Sequence, residues 1–161
     1  MITIALEHAG PYTEFFDIAN EWIDPPEGDP VHCCGFQLDR GFIFDRKIIG
    51  ESEERSIGLS PFVFDGVVLP SPTEIERRFT ITSFNPENHY LIPFEDAEKG
   101  LSPEGYSGGA TWWESDKLPI VWAPTFKFAG ICSVSYEKGA KEQVIKASAV
   151  RRFLWEVFGS V

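Results

Sequence analysis

Apolar positions along this chain come in short runs closed by turn residues. Five such runs are VHCCGFQL (31–38), FIFDRKII (42–49), PFVFDGVVL (61–69), RFTITSF (78–84) and HYLIPF (89–94). Their length and their content of β-branched and aromatic residues predict strands. Within 78–84 the alternation is regular, with Phe79, Ile81 and Ser83 on one face and Thr80, Thr82 and Phe84 on the other. Ala110 to Trp113, Pro119 to Trp122 and Lys127 to Val134 read the same way, as does ITIAL at 2–6. Residues 24–30 (DPPEGDP) are a turn or linker. Residues 13–23 admit two readings. Phe15, Ile18, Ala19 and Trp22 recur at helical spacing behind Thr13, whereas alternation puts Phe16, Ile18 and Trp22 on one strand face. The chain closes on a helix. Val150, Phe153, Leu154, Val157 and Phe158 form its apolar stripe, Ser148 is placed to cap it and Gly159 to stop it. Many strands followed by one helix predict an all-β barrel or sandwich with a terminal α-helix.

Composition narrows the class. Of 161 residues, 43% are hydrophobic and 14% aromatic, enough for a packed core. Net charge is −11. The acidity is uneven: no Lys or Arg precedes Arg40, while Glu7, Glu14, Asp17, Glu21, Asp24, Glu27, Asp29 and Asp39 do. Such a surface repels phosphate backbones, so nucleic acid is not an expected partner. Three cysteines, two of them adjacent (Cys33, Cys34 and Cys132), do not make a disulfide framework. This points to a reducing compartment. No His/Cys spacing suggests a metal, and no cofactor is expected. Met1 is followed by no basic leader and no apolar run of membrane-spanning length. The expectation is a cytoplasmic protein without a membrane partner.

One stretch carries chemistry: Gly105-Tyr106-Ser107-Gly108-Gly109. A serine hydroxyl needs a base to take its proton, and the oxyanion it creates needs preset N–H donors. Glycine two residues before the serine permits a tight turn that aims the N–H groups of Gly105 and Ser107 at one point. Glycines after it let a substrate backbone approach. The same five residues satisfy the G-x-S-x-G of an α/β-hydrolase elbow, but that fold needs strands alternating with helices, which are not predicted here. A glycine-rich hairpin turn in an unrelated small β-protein is the plain rival.

The segment Pro103-Glu104-Gly105-Tyr106-Ser107-Gly108-Gly109-Ala110-Thr111-Trp112 resembles the nucleophile region of trypsin-like serine peptidases, in particular divergent bacterial members. Phe128-Ala129-Gly130-Ile131-Cys132-Ser133-Val134 is similar to their apolar-Gly-Ile strand beside the specificity pocket, and 147–158 to their closing helix. The resemblance covers 103–158, about the last third of the chain. It implies a chymotrypsin-like antiparallel β-barrel fold in one peptidase domain, 1–161. Residues 1–69 would be a reduced N-terminal half and 70–161 a complete second barrel.

It also implies roles. Ser107 is the nucleophile, with an oxyanion site from Gly105 and Ser107. Ser133 stands behind it, and the backbone of Ser133, Val134 and Ser135 pairs with substrate. Leu101 lies near the base of the specificity pocket, and its apolar side chain argues against an Arg/Lys preference. Asp17-Ile18-Ala19 resembles the family's Asp-Ile-Ala; the helical reading instead makes Asp17 a solvated residue. The family's order is His, Asp, Ser. His8 alone precedes Asp17, and by too few residues for the usual intervening strands. His32 reads as a satisfied core histidine and His89 as a surface residue. Tyr106 replaces the acidic residue common before the nucleophile, which argues against activation by a new amino terminus. The implied function is a serine endopeptidase acting on protein or peptide, its base coming from His8, from a segment outside this chain, or from a partner chain. The alternative is a catalytically incomplete, peptide-binding or regulatory domain.

Overall fold

The computed structural model describes residues 21–36, 42–49, 52–58, 61–94, 106–114, 126–136 and 140–159. The elements in chain order are β1 (Pro30–Phe36), β2 (Phe42–Ile49), β3 (Ser52–Gly58), β4 (Pro61–Val67), α1 (Glu74–Phe79), β5 (His89–Pro93), β6 (Ala110–Glu114), β7 (Phe126–Tyr136), β8 (Lys141–Lys146) and α2 (Ala147–Phe158). The strands at 2–6 and 119–122, and all but the end of 13–23, fall outside the described residues.

Six strands form one antiparallel sheet in the order β4-β1-β6-β7-β8-β5, while β2 and β3 make a separate two-stranded ribbon. The sheet curls until its edges meet. Leu69 N–H, just past β4, donates to Leu91 O on β5 at 2.8 Å, and Gly66 lies against Ile92 and Pro93. A curled sheet has one enclosed face. On β1 that face takes Val31, Cys33 and Gly35, all buried, while His32 and Cys34 between them are partly exposed. Phe64, Ile92, Phe94, Tyr106, Ala129, Cys132 and Val144 complete the interior. The mostly antiparallel β architecture with its terminal helix agrees with the strand pattern of the sequence. The sheet runs across the 69/70 division drawn from the sequence, because β1 and β4 pair within the same sheet as β5 to β8.

Residues 78–84 are not a strand. They end α1 and then turn. Thr73 and Glu76 close a capping box: Thr73 Oγ1 accepts the Glu76 N–H at 3.3 Å, and Glu76 Oε2 accepts the Thr73 N–H at 2.8 Å. That local bonding nucleates a helix through Phe79. The alternation is met by a different geometry. Phe84 N–H donates to Ile81 O at 3.2 Å, and both side chains bury with Leu91 as a small second core outside the barrel.

Two strands escaped the sequence reading. β3 is polar and forms against β2. β8 (KEQVIK) lies between β7 and β5, and Glu142, Gln143 and Val144 are all buried in succession. Val144 lines the barrel interior, while Leu91, the register partner of Gln143, belongs to the outer core. A strand covered on both faces shows no polar-apolar alternation.

The terminal helix runs as expected and stops at Gly159, whose φ is +74 and whose N–H donates to Trp155 O at 2.8 Å. Ser148 is not its cap. The helix begins at Ala147, and the acceptor for the Ser148 N–H is Asp24 Oδ1 at 3.0 Å, from the opposite end of the sequence. The expected stripe is mostly uncovered: Phe153, Val157 and Phe158 are exposed, as is Trp155. Segment 21–23 is extended. Phe128 N–H donates to Glu21 O at 2.8 Å and Ile23 N–H to Phe128 O at 3.0 Å.

Gly130 is where β7 presses on β8. Its φ is +153, and a Cβ there would fall on the Ile145 carbonyl, far inside contact distance. Gly28, at φ +86, has open space instead. Gly28→Ala is therefore expected to cost about 1 kcal/mol of strain. Gly130→Ala is expected to cost about 4 kcal/mol or more, because the strand pair must also separate. Urea midpoints of the two variants test this ordering.

Candidate functional site

The Ser107 segment is a tight turn. Gly109 N–H donates to Tyr106 O at 2.7 Å, and Gly108 at the third position has φ +86. That conformation belongs to a type II turn and favours glycine there. The turn is laced to β7 from both sides of one residue. Gly108 N–H donates to Cys132 O at 2.8 Å, and Cys132 N–H donates to Gly109 O at 2.9 Å. Gly109 also meets β1, where a Cβ would collide with the Cys34 carbonyl. Gly109 is thus required by packing against β1, and Gly108 by its positive φ.

Ser107 is exposed, and its hydroxyl donates to Ser133 O at 3.0 Å. Among the described residues nothing accepts the Ser107 N–H. The structure therefore brings Ser107 and Ser133 together. Ser133 is the extra residue of a β-bulge, since Cys132 pairs with Val144 and Val134 with Gln143. Its hydroxyl donates to Gln143 O at 3.1 Å and receives Gln143 Nε2 at 3.1 Å. Tyr136 OH donates to Gln143 Oε1 at 2.9 Å and also meets Ser83 Oγ. This buried polar chain fixes the bulge from behind.

Beyond Ile131, β7 has β8 on one side and, among the described residues, no strand on the β6 side. Val134 and Ser135 are exposed there. The arrangement leaves a strand edge beside the Ser107 hydroxyl, onto which an extended peptide can add.

Neither described histidine reaches Ser107. His32 stands opposite Trp112 on β6 and points away from the barrel interior. Its Nδ1 lies 2.7 Å from Asp65 Oδ1 and its Nε2 3.4 Å from Glu114 Oε2, with the Phe126 ring edge-on at 5.6 Å. It is half-buried on the outer face rather than in the core. His89 is half-buried too. Its Nδ1 accepts the Asn85 N–H at 3.0 Å, and burial, with Lys146 adding to it, lowers its pKa. His8, Asp17, Leu101 and Gly105 lie outside the described residues.

Sequence reasoning missed Glu142. This side chain is 1% exposed, stands opposite Ser135 on β7 and accepts the Ser135 hydroxyl. Burial pushes its pKa from 4.5 up to about 7, against the opposing pull of the Ser135 bond. Nothing in the local sequence KEQVIK marks it as buried; the signal is the pairing of β8 with both neighbours. Cys33 and Cys132 meet Thr111 Oγ1 inside the barrel at 3.4 and 3.5 Å, and the bond with Cys132, helped by burial, holds the Cys33 thiol protonated.

Among the described residues no group of three or more His, Cys, Asp or Glu side chains is arranged to hold a metal ion, and no helix is long and apolar enough to cross a membrane. The depression lined by Trp22, Asp24, Arg151, Arg152 and Trp155 at the start of α2 includes none of the residues around Ser107. Neither the protein-family models nor the curated proteins contain a match to this chain.

Glu142 makes stability depend on pH with a defined sign. The folded protein holds this proton more tightly than the unfolded chain does. The contribution is whole below about pH 4.5 and is lost as pH rises through about 7. Glu142→Gln keeps the shape and removes the titration. The variant is expected to exceed the wild type by about 1–2 kcal/mol at about pH 8, the advantage vanishing near pH 4.5. Urea titrations of both proteins across that range measure the difference.

Proposed function

We propose that this chain carries the second barrel of a chymotrypsin-like serine peptidase, with Ser107 as its nucleophile. The observation that carries the reading is the closed Tyr106–Gly109 turn. It presents an exposed serine whose N–H has no acceptor among the described residues, beside a β7 edge at Val134 and Ser135 that no described strand covers. The six-stranded curled sheet with a helix after its last strand supports it, since a trypsin-like fold is built of two six-stranded barrels. Free thiols at Cys33, Cys34 and Cys132 suit a reducing, cytoplasmic setting.

In this reading an extended protein or peptide substrate pairs with the backbone of Ser133 to Ser135. Ser107 Oγ attacks the scissile carbonyl carbon as a base removes its proton. The C–O bond forms, and the negative charge on the carbonyl oxygen meets the N–H groups of Gly105 and Ser107. The base then returns the proton to the leaving amine as the C–N bond breaks. Water repeats the sequence on the acyl-enzyme. His8 with Asp17 supplies the base within this chain; a partner chain supplies it otherwise. Leu101 makes the pocket floor apolar.

A specific observation favours a second reading. The Ser107 hydroxyl donates to a carbonyl, and both described histidines are bonded elsewhere. A domain in this state binds peptide at the β7 edge without cleaving it.

A fluorophosphonate probe separates the two. The peptidase reading expects a covalent adduct on Ser107, absent from Ser107→Ala; where His8 is the base, His8→Ala forms it at least a hundredfold more slowly. A folded protein that takes up no probe at Ser107, alone or with its partner, overturns that reading and leaves peptide binding.

A further inference from the structure

Tyr106 precedes the serine, and its side chain is 3% exposed in the barrel interior. Its ring meets Phe64 edge-on at 5.0 Å between centroids and Phe94 at 5.9 Å. Gly35 on β1 makes the room. A Cβ there would stand 2.8 Å from Tyr106 Cα and run into the ring. The carbonyl of the same residue closes the turn by accepting the Gly109 N–H at 2.7 Å. Tyr106 is therefore a core side chain below and the first residue of the turn above.

We propose that Tyr106 is a positioning residue whose buried ring keeps the Ser107 turn closed at all times, so that the site needs no ionic anchor and no processing event to form. The functional part of this rests on the role given to Ser107 above. The physical argument concerns what each kind of anchor requires. A carboxylate sunk at this place would need a cationic partner, because an unpaired buried charge is strongly destabilising. An aromatic ring needs apolar walls, which Phe64, Phe94 and Gly35 supply from β4, the segment after β5 and β1. Those walls belong to the folded barrel, so the turn is set whenever the barrel is. Edge-on aromatic pairs add to the burial and hold the ring's orientation.

The test reads amide hydrogen exchange at Gly108 and Gly109, whose N–H groups bond Cys132 O and Tyr106 O, against Val144 in β8 as a marker of the whole sheet. It compares wild type with Tyr106→Phe, Tyr106→Leu and Tyr106→Ala, and records probe labelling of Ser107 alongside. The expected result is wild-type protection in Tyr106→Phe. In Tyr106→Ala, exchange at Gly108 and Gly109 rises at least tenfold relative to Val144, with labelling falling in step. Tyr106→Leu serves in its place where the alanine protein does not fold. Unchanged protection at the two glycines in the alanine variant overturns the proposal. So does a fall of all three amides together in both truncated variants, which is loss of fold and not of the turn. If the glycines respond as expected but no protein is labelled, the anchor stands and the peptidase reading fails. If every variant is labelled at the wild-type rate, the peptidase reading stands and the anchor fails.

Discussion

Gly109 is squeezed between two strands, and the site around it is built on that squeeze. On one side the Cys34 carbonyl of β1 occupies the place of a side chain. On the other, its own carbonyl takes the Cys132 N–H of β7. No residue with a Cβ satisfies both contacts without moving β1 or β7. The turn must then reverse immediately before this point, which is why Gly108 adopts positive φ and why Ser107 is lifted to the surface. The exposure of the serine goes with the positive φ of Gly108 and the packing demand at Gly109.

The two faces of the sheet solve different problems. Inside, Tyr106, Phe64 and Phe94 fill the barrel with aromatic volume, and the thiols of Cys33 and Cys132 share one Thr111 hydroxyl. Outside, the turns after α1 cover Leu91 with Ile81 and Phe84, and Gln143 accepts the Tyr136 hydroxyl. Glu142 is the exception: a carboxylic acid buried with a serine as its partner, whose ionisation costs stability as pH rises from about 4.5 to about 7. It sits opposite Ser135 at the exposed end of β7. Strain and exposed backbone are thus concentrated in one region.

How much of this was legible depended on whether the cause was local. Strands rich in Val, Ile and Phe, such as β4 and β7, declared themselves, as did the Gly159 stop. The nearness of Ser107 to Ser133 was an implication of the resemblance carried by two glycine-marked segments, and the hydroxyl-to-carbonyl bond places the two together. Residues 78–84 misled because alternation outweighed the capping box at Thr73 and Glu76, a shorter but mechanistically firmer signal. β8 hid because burial on both faces erased its pattern. The Asp24 acceptor for α2 and the burial of Tyr106 were invisible for a different reason: each depends on a contact with residues remote in sequence.

The hydrogen bond from Ser107 Oγ to Ser133 O bears on activity in a way that magnitudes decide. A carbonyl oxygen is no base, so in this rotamer the hydroxyl remains an ordinary alcohol. Leaving it costs one neutral hydrogen bond, about 1 kcal/mol. In the peptidase reading, an oxyanion donor is worth about 3–4 kcal/mol in the transition state, and a well-placed general base a comparable amount. A base within reach therefore overcomes the resting bond easily, while in its absence the bond holds the hydroxyl aside and leaves the β7 edge free for peptide. The resting geometry is compatible with both readings, and what separates them is the arrival of a proton acceptor at Ser107, not any rearrangement of the turn.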